Sequence, residues 1–579
     1  MDRKSIIGIA LAVAVFAWAQ YKSQEEMKRY RAAQEAIAAE AAAKATPAPS
    51  PTAAPEAAQK PTPAPATPTA AVQEVKPAVP EEKKTVTTDA VDYTFTNLGG
   101  GISSLKLLKH QGGDPKERMV LNGSASHPIG ALLSKPDAAV EDGYAVTVEG
   151  DRVVCNKTLP TGVEVKKIYT LSRKKGEEYR VGLEVVFENH SGAPVEQPGY
   201  YLYAGASAPL HAADFANYIG FDWYDGRTNS YIMPTWFDAG KIPLVGVETS
   251  SGKSIYEENP GNVLWAGVRD QYFTSLLLPE GKGQGAWARP LNLKIESKDV
   301  KGMEGGLKMP GFKLNAGESV NKKFTIYAGP AEYNQLSALG NGAVQMMNLD
   351  RWWITRTVGM VLLRSMNFLE RFLPNYAWAI IVLTFIVRGA LWPIQGRANK
   401  SMKKMQLLMP KQNELKEKYK DDPARMNQEV MKLYKEYGVN PFGGCLPMLI
   451  QIPIFIGFYS MLGTAVELRN SSFLWVTDLS RPDTIFHLAG IPVNILPLAM
   501  TATMIWQMQL TPKTGDPAQQ KMLMFMPLVF VFITYNFASA LALYYTVQNL
   551  LSIIQLYATR NAPMPSLEKA SAGSKKKNR

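Results

Sequence analysis

The chain has 579 residues, 46% of them hydrophobic, and a formal net charge of +12. Its two cysteines, Cys155 and Cys445, stand in segments of unlike character, which excludes a disulfide framework or a cysteine-built metal site. The positive residues gather beside apolar runs, where lipid headgroups and membrane topology account for them, so the charge does not indicate sequence-specific nucleic-acid binding.

Arg3 and Lys4 precede an apolar run, residues 6–18, that reads either as a cleaved secretory signal or as an uncleaved anchor. The helix-prone continuation through Gln20, Tyr21 and Lys22 favours an anchor over residues 1–21, with its start in the cytoplasm. Residues 22–86 are first helical and then rich in Pro and Ala. They offer too few large apolar side chains to offset chain entropy, and so form a linker. Residues 87–335 alternate polar and apolar side chains, as in Tyr93-Thr94-Phe95-Thr96 and again between Val181 and Phe187, with Gly, Asn and Pro between the runs. This pattern predicts an antiparallel β-sandwich and argues against a doubly wound nucleotide-binding fold.

The period turns helical over residues 336–374. Arg351, Arg356, Arg364, Glu370 and Arg371 alternate there with Trp353, Val358, Leu362, Met366 and Phe368, which predicts amphipathic helices at the membrane surface. Residues 375–559 carry charge-poor stretches at 376–392, 442–466, 491–510, 522–535 and 540–557, each close to the length that crosses a core of roughly 30 Å. Residues 522–559 hold no charge at all. One helix of that length would run about 55 Å, so the chain is expected to turn back near Asn536, Ala538 and Ser539.

With the anchor, the prediction is a polytopic α-helical membrane protein of six spans. Residues 394–441 carry eleven Lys or Arg against six acids, and the tail, 560–579, ends in Lys575, Lys576, Lys577 and Arg579. Both are expected on the cytoplasmic side of an inner membrane, as is the N-terminus, with the β-domain in the periplasm. Segment 394–441 reads as a helical hairpin of 397–419 and 423–437, Asp422 capping a helix that opens on Pro423. Its Met402, Met405, Met409, Met426 and Met431 offer adaptable surface for varied apolar segments. Ordinary hairpin packing accounts for several of them equally well.

Thr384 and Arg388 are four residues apart and share a helix face. Gln451, Tyr544, Tyr545, Gln548 and Asn549 add polar atoms at membrane depth. Together these residues either line a wet cavity, since buried arginines in spans face protein or water, or hold the bundle by interhelical hydrogen bonds while Arg388 snorkels to the headgroups.

The run Asn440-Pro441-Phe442-Gly443-Gly444-Cys445-Leu446-Pro447, with Gln451, Pro453, Ile454 and Phe455, resembles the signature of the YidC membrane protein insertase family. Thr384-Phe385-Ile386-Val387-Arg388-Gly389, Asp516-Pro517, Met526-Pro527 and Leu543-Tyr544-Tyr545 resemble it at matching places, and Asp270-Gln271-Tyr272-Phe273 fits the Gram-negative long form with a periplasmic domain. The resemblance implies a five-helix core with a hydrophilic groove open to the cytoplasm and to lipid but closed towards the periplasm. In it Arg388 is the groove charge, with Thr384 and Tyr545 beside it. Ile452, Pro453, Phe455, Phe530 and Ile533 match the face along which clients slide. Two departures stand out, namely Ile533 where some relatives carry an aromatic, and the turn Asn536-Phe537-Ala538-Ser539.

The implied function is insertion and folding of nascent membrane proteins, alone or with the Sec translocon, without cofactor, metal or enzymatic chemistry. Ribosome and targeting machinery are expected partners alongside membrane lipids, although the basic tail reads more simply as a topology signal. A membrane-anchored periplasmic enzyme would need a catalytic constellation, yet His110, His127, His190 and His211 are scattered without ligand spacing. A channel or transporter would favour internal repeats or paired broken helices, which the spans do not show.

Overall fold

The computed structural model describes residues 79–114, 116–211, 214, 216–241, 248–347, 353–439, 446–488, 491–511 and 517–559. The expected anchor, nearly all of the linker, the basic tail and the Asn440 to Cys445 part of the signature lie outside the described residues.

Period-two alternation becomes sheet, because successive side chains of a strand point to opposite faces. In Arg180–Asn189 the apolar Val181, Leu183, Val185 and Phe187 are buried and the residues between them face outward. This strand pairs antiparallel with Val163–Leu171 and with Ser319–Pro330 inside a nine-stranded sheet. A five-stranded sheet centred on Lys298–Met309 lies against it, and Leu202, Met303 and Leu307 share one core with Phe221, Trp265 and Leu276. Strand Phe273–Pro279 is buried along its whole length because both its faces are covered. A third sheet opens with Lys83–Thr87, paired to Val91–Thr96, so the first strand among the described residues starts four residues ahead of the expected boundary at 87.

Lys167 ties the layers together. Fully buried, its Nζ donates to the carbonyls of Gly99 at 2.6 Å and Gly130 at 2.8 Å and sits 4.7 Å from the centre of the Tyr144 ring.

The helical part follows as α1 (Tyr333–Leu339), α2 (Trp353–Glu370), α3 (Tyr376–Lys418), α4 (Pro423–Glu436), α5 (Leu446–Thr464), α6 (Ile495–Leu510), α7 (Pro517–Thr534) and α8 (Ser539–Ala558). α2 is amphipathic, burying Leu362, Leu363 and Met366 and exposing Val361 and Phe368. It lies so close to α5 that a Cβ on Gly457 would come within 2.8 Å of Val358 Cγ1.

Two boundaries differ from expectation. Residues 376–392 and 397–419 were expected as separate helices, but α3 runs through both for 43 residues with Pro393 and Pro410 inside it. Each proline removes one helical hydrogen bond, and the helix runs on through both, past Gly396, Asn399 and Ser401. Residues 491–494 were expected in a span but form the second strand of a hairpin with Thr484–Leu488. Asn494 closes it, accepting from Thr484 Oγ1 at 2.6 Å and donating to the Tyr535 carbonyl at 2.8 Å.

Among the described helices, α3 is the one long and apolar enough by itself to cross a membrane, and Ile450–Thr464 and Met524–Thr534 are shorter apolar stretches. Leu408 of α3 packs with Leu433 and Tyr434 of α4 and with Tyr437 and Val439 beyond it. Asp422 caps α4 by accepting from Arg425 N at 3.0 Å.

Candidate functional site

Three helices bring the sequence-selected polar residues together. On α8, Tyr544, Gln548 and Ser552 follow one another at four-residue spacing and so share a face. α3 presents Thr384 and Arg388 by the same spacing, and α5 presents Gln451 and Phe455. Arg388 is 9% exposed. Its Nη2 donates to Ser552 Oγ, Ser552 Oγ donates to the Gln548 carbonyl at 2.8 Å, and Arg388 Nε, also buried, has no partner among the described residues. The guanidinium is thus held by a neutral hydroxyl and keeps a free donor.

Gln451 Nε2 links α5 to α8, donating to Tyr544 Oη at 3.3 Å and to Gln548 Oε1 at 3.2 Å. The Tyr544 ring stacks on Phe458 with centroids 3.9 Å apart. Thr384 is buried, and its hydroxyl turns back to donate to the Ile380 carbonyl at 2.6 Å, so that donor is used within its own helix. Asn549 faces away from this set. Its Nδ2 donates to the Met500 carbonyl at 3.3 Å and to Thr503 Oγ1 at 3.2 Å, holding α8 to α6.

Tyr545, one position round α8, meets a different environment. Its ring lies 5.4 Å from Phe455 and 5.5 Å from Phe530, and these two are 6.0 Å apart, making an aromatic cluster of α5, α7 and α8. Pro453 is half-buried, whereas Ile452 and Ile533 stand outward beside the fully exposed Phe532. Of the hairpin methionines, Met405 joins the packing between α3 and α4, Met431 is exposed, and Met402, Met409 and Met426 are half-buried.

Sequence reasoning missed Ser552, Phe458 and Tyr459. Ser552 continues the four-residue series from Gln548, a signal that was present. The structure also gathers a cluster that spacing did not suggest: Glu164 and Glu188 face each other across paired strands, and His190 joins them on the domain surface. His190 Nε2 lies 3.2 Å from Glu164 Oε2, the geometry of a surface ion pair.

The family model described as 60Kd inner membrane protein matches residues 368–566, and the one described as YidC periplasmic domain matches residues 83–357. The membrane protein insertase YidC of Syntrophus aciditrophicus is 33% identical over 516 residues, covering 84% of this chain and 86% of its own. The chain belongs to the YidC membrane protein insertase family. The YidC of Chlorobaculum tepidum is 29% identical over 596 residues, covering 99% of this chain and 96% of its own. A solved structure described as an active YidC insertase with the first transmembrane domain resolved covers 83% of this chain at 22% identity, with a TM-score of 0.35. The sheets within residues 83–330 therefore belong to the part matched as the YidC periplasmic domain, and α3 to α8 belong to the part matched as the inner-membrane protein. The YidC family is one of insertases, not of enzymes.

Proposed function

We propose that this chain inserts and folds integral membrane proteins by lowering the barrier that a short polar segment meets in hydrocarbon. A single charged residue at the bilayer centre costs about 2.5–3.5 kcal/mol on insertion scales, and a client must carry its translocated segment past that point. Arg388 lies twelve residues beyond Tyr376, about 18 Å along the helix, so in a core of roughly 30 Å it sits nearer the cytoplasmic side. The observation that carries the reading is its inward posture, with the guanidinium on the Ser552 hydroxyl and Nε unpartnered. A cation so held attracts the carboxylates of a translocating segment. Gln451, Tyr544 and Gln548 supply polar surface behind it, with Thr384 closing the wall.

The client's apolar helix moves along Phe455, Phe530 and Tyr545 with Ile452, Pro453 and Ile533, and partitions into lipid. That transfer yields about 25 cal/mol per Å² of apolar surface, enough to drive the process without nucleotide. In this scheme there are six spans, both termini and the α3/α4 hairpin face the cytoplasm, and the hairpin methionines meet incoming apolar segments. The partners are nascent membrane proteins, lipid, the ribosome with its targeting machinery and, for some clients, the Sec translocon.

The test uses the full chain reconstituted in liposomes with two small clients, one carrying an acidic translocated tail and one a neutral tail. Arg388→Ala should impair the acidic client more than the neutral one, and Arg388→Lys should restore most of the difference. Equal insertion of both clients by the Ala variant and the parent would refute the charge role.

A further inference from the structure

A cavity lies between the periplasmic domain and the ends of the helices, with a volume of about 1210 Å³. His211, Asp214, Gln271 and Glu296 line it from the domain. Arg469, Asp478 and Arg481, from the segment after α5, line it from the other side, and Tyr459, Phe537 and Leu541 form its apolar part.

Three features identify its occupant. The first is continuity with the aromatic cluster of the candidate site. Tyr459 lies 6.3 Å from Phe455 and 5.3 Å from Phe537, so a series of rings leads from Phe530 and Tyr545 through Phe455 to the cavity. Phe458 and Tyr544 stack with centroids 3.9 Å apart on the inner side, so the route proposed here follows the aromatic edge. The second is size. Small-molecule pockets run from about 300 to 1,000 Å³, and this one exceeds them, matching several residues of peptide. The third is charge. Two arginines face two aspartates and a glutamate, and much of this charge is already engaged. Arg469 Nη2 donates to the Gly112 carbonyl at 2.9 Å, Arg481 donates to His211 Nε2, and Asp214 accepts from the Leu210 and His211 amides at 2.8 and 2.9 Å. A wall of both signs, with one more carboxylate than arginine, suits polar peptide of varied sequence better than the phosphate of a lipid headgroup.

We propose that this cavity receives the hydrophilic segment of a client as it leaves the aromatic edge on the periplasmic side. The inference rests on the insertase reading and gives it an exit site. It is reachable, since Thr484, His487 and Asn536 on its rim are exposed.

The experiment places a photoreactive amino acid at Asn536, at Thr484 and, as a control at the other end of the domain, at exposed Glu196 on the strand paired with Phe312–Leu314, each in the full chain in proteoliposomes. A client with a short translocated tail is supplied, and insertion is read by protease protection in the same vesicles. Transient crosslinks from Asn536 and Thr484 to the tail, with none from Glu196, are expected. Insertion accompanied by crosslinks to lipid alone, to the client's apolar span alone, or to nothing overturns the exit site and leaves the insertase reading standing. Failure of the unsubstituted protein to insert the client overturns both. As a second measure, Asn536→Trp should slow insertion of clients with long tails and spare those with short ones, and equal rates for both tail lengths also overturn the proposal.

Discussion

Lys167 and Arg388 are two buried cations stabilised in different ways. Arg388 has a neutral hydroxyl and an open donor, which suits a visiting anion. Lys167 has two carbonyls and the face of Tyr144, which suits permanent structure. Burial drives the Lys167 ammonium down from its ordinary 10.5 to about 7, against the partial support of Cys155 and Glu141. Between those values the unfolded chain binds a proton that the folded chain has released, so folding stability contributed by this group rises with pH from about 7 to 10.5 and is flat below. Hydrogen-exchange free energies of strand Val163–Leu171, with the intrinsic pH dependence removed, should show that rise. Lys167→Met should abolish it. The same substitution strands the carbonyls of Gly99 and Gly130, each buried acceptor costing about 1–3 kcal/mol, so the domain should be less stable at neutral pH although a buried charge is gone. An unchanged denaturation midpoint in the Met variant would show that water replaces the amine.

Elements were legible in the sequence where a period ran uninterrupted. Alternation in Arg180–Asn189 and the amphipathic stripe of α2 fall where the sequence puts them. The join within α3 did not, because a fall in hydropathy after Trp392 marks a change of solvent, not an end to helical hydrogen bonding. The hairpin before α6 was hidden because Ile491, Pro492 and Val493 are as apolar as the span they precede. In the candidate site, four-residue spacing placed Thr384 with Arg388 and Tyr544 with Gln548. Arg388 meets Ser552 across 164 positions of chain, and the relative register of two helices is written in no local pattern. The same limit hid Gly457, an ordinary glycine in sequence. Its added Cβ would meet Val358 Cγ1 at 2.8 Å and the Gly359 amide at 3.2 Å, and close approach through small residues is how helices pack in membranes. Gly457→Leu should therefore force α2 from α5 and cost about 1–3 kcal/mol, read as a lower thermal midpoint of the full chain in detergent. Combining Gly457→Ala with Val358→Ala should recover part of the loss caused by Gly457→Ala alone. Purely additive losses would place the strain elsewhere.

Across the whole molecule, the Asp270-Gln271-Tyr272-Phe273 run fastens the periplasmic domain to the end of α5. Asp270 accepts from the amides of Tyr272 and Phe273, both at 2.7 Å, fixing a tight turn. Gln271 Nε2 then reaches the Gly463 carbonyl at 2.6 Å. Arg469, just past α5, lays its guanidinium 5.1 Å from the Tyr272 ring centre and 5.3 Å from that of Phe273 while bonding the Gly112 carbonyl. A cation over an aromatic face contributes about 0.5–2 kcal/mol and a charged hydrogen bond about 1.5–3 kcal/mol, so this one side chain supplies a large part of the docking. Arg469→Ala should widen the distance distribution between spin labels at Lys175 on the domain and Lys411 on α3, and should lower the thermal midpoint. Arg469→Lys should recover less than half of either change, because an ammonium cannot lie flat on two rings and hold a carbonyl at once. Since α5 also carries Gln451 and Phe455, a looser domain should slow insertion modestly for every client, whatever its tail charge. That lack of charge selectivity separates the docking defect from the Arg388 defect, and an unchanged distance distribution in Arg469→Ala would mean that the Gln271 contact and the packed sheets hold the domain without it.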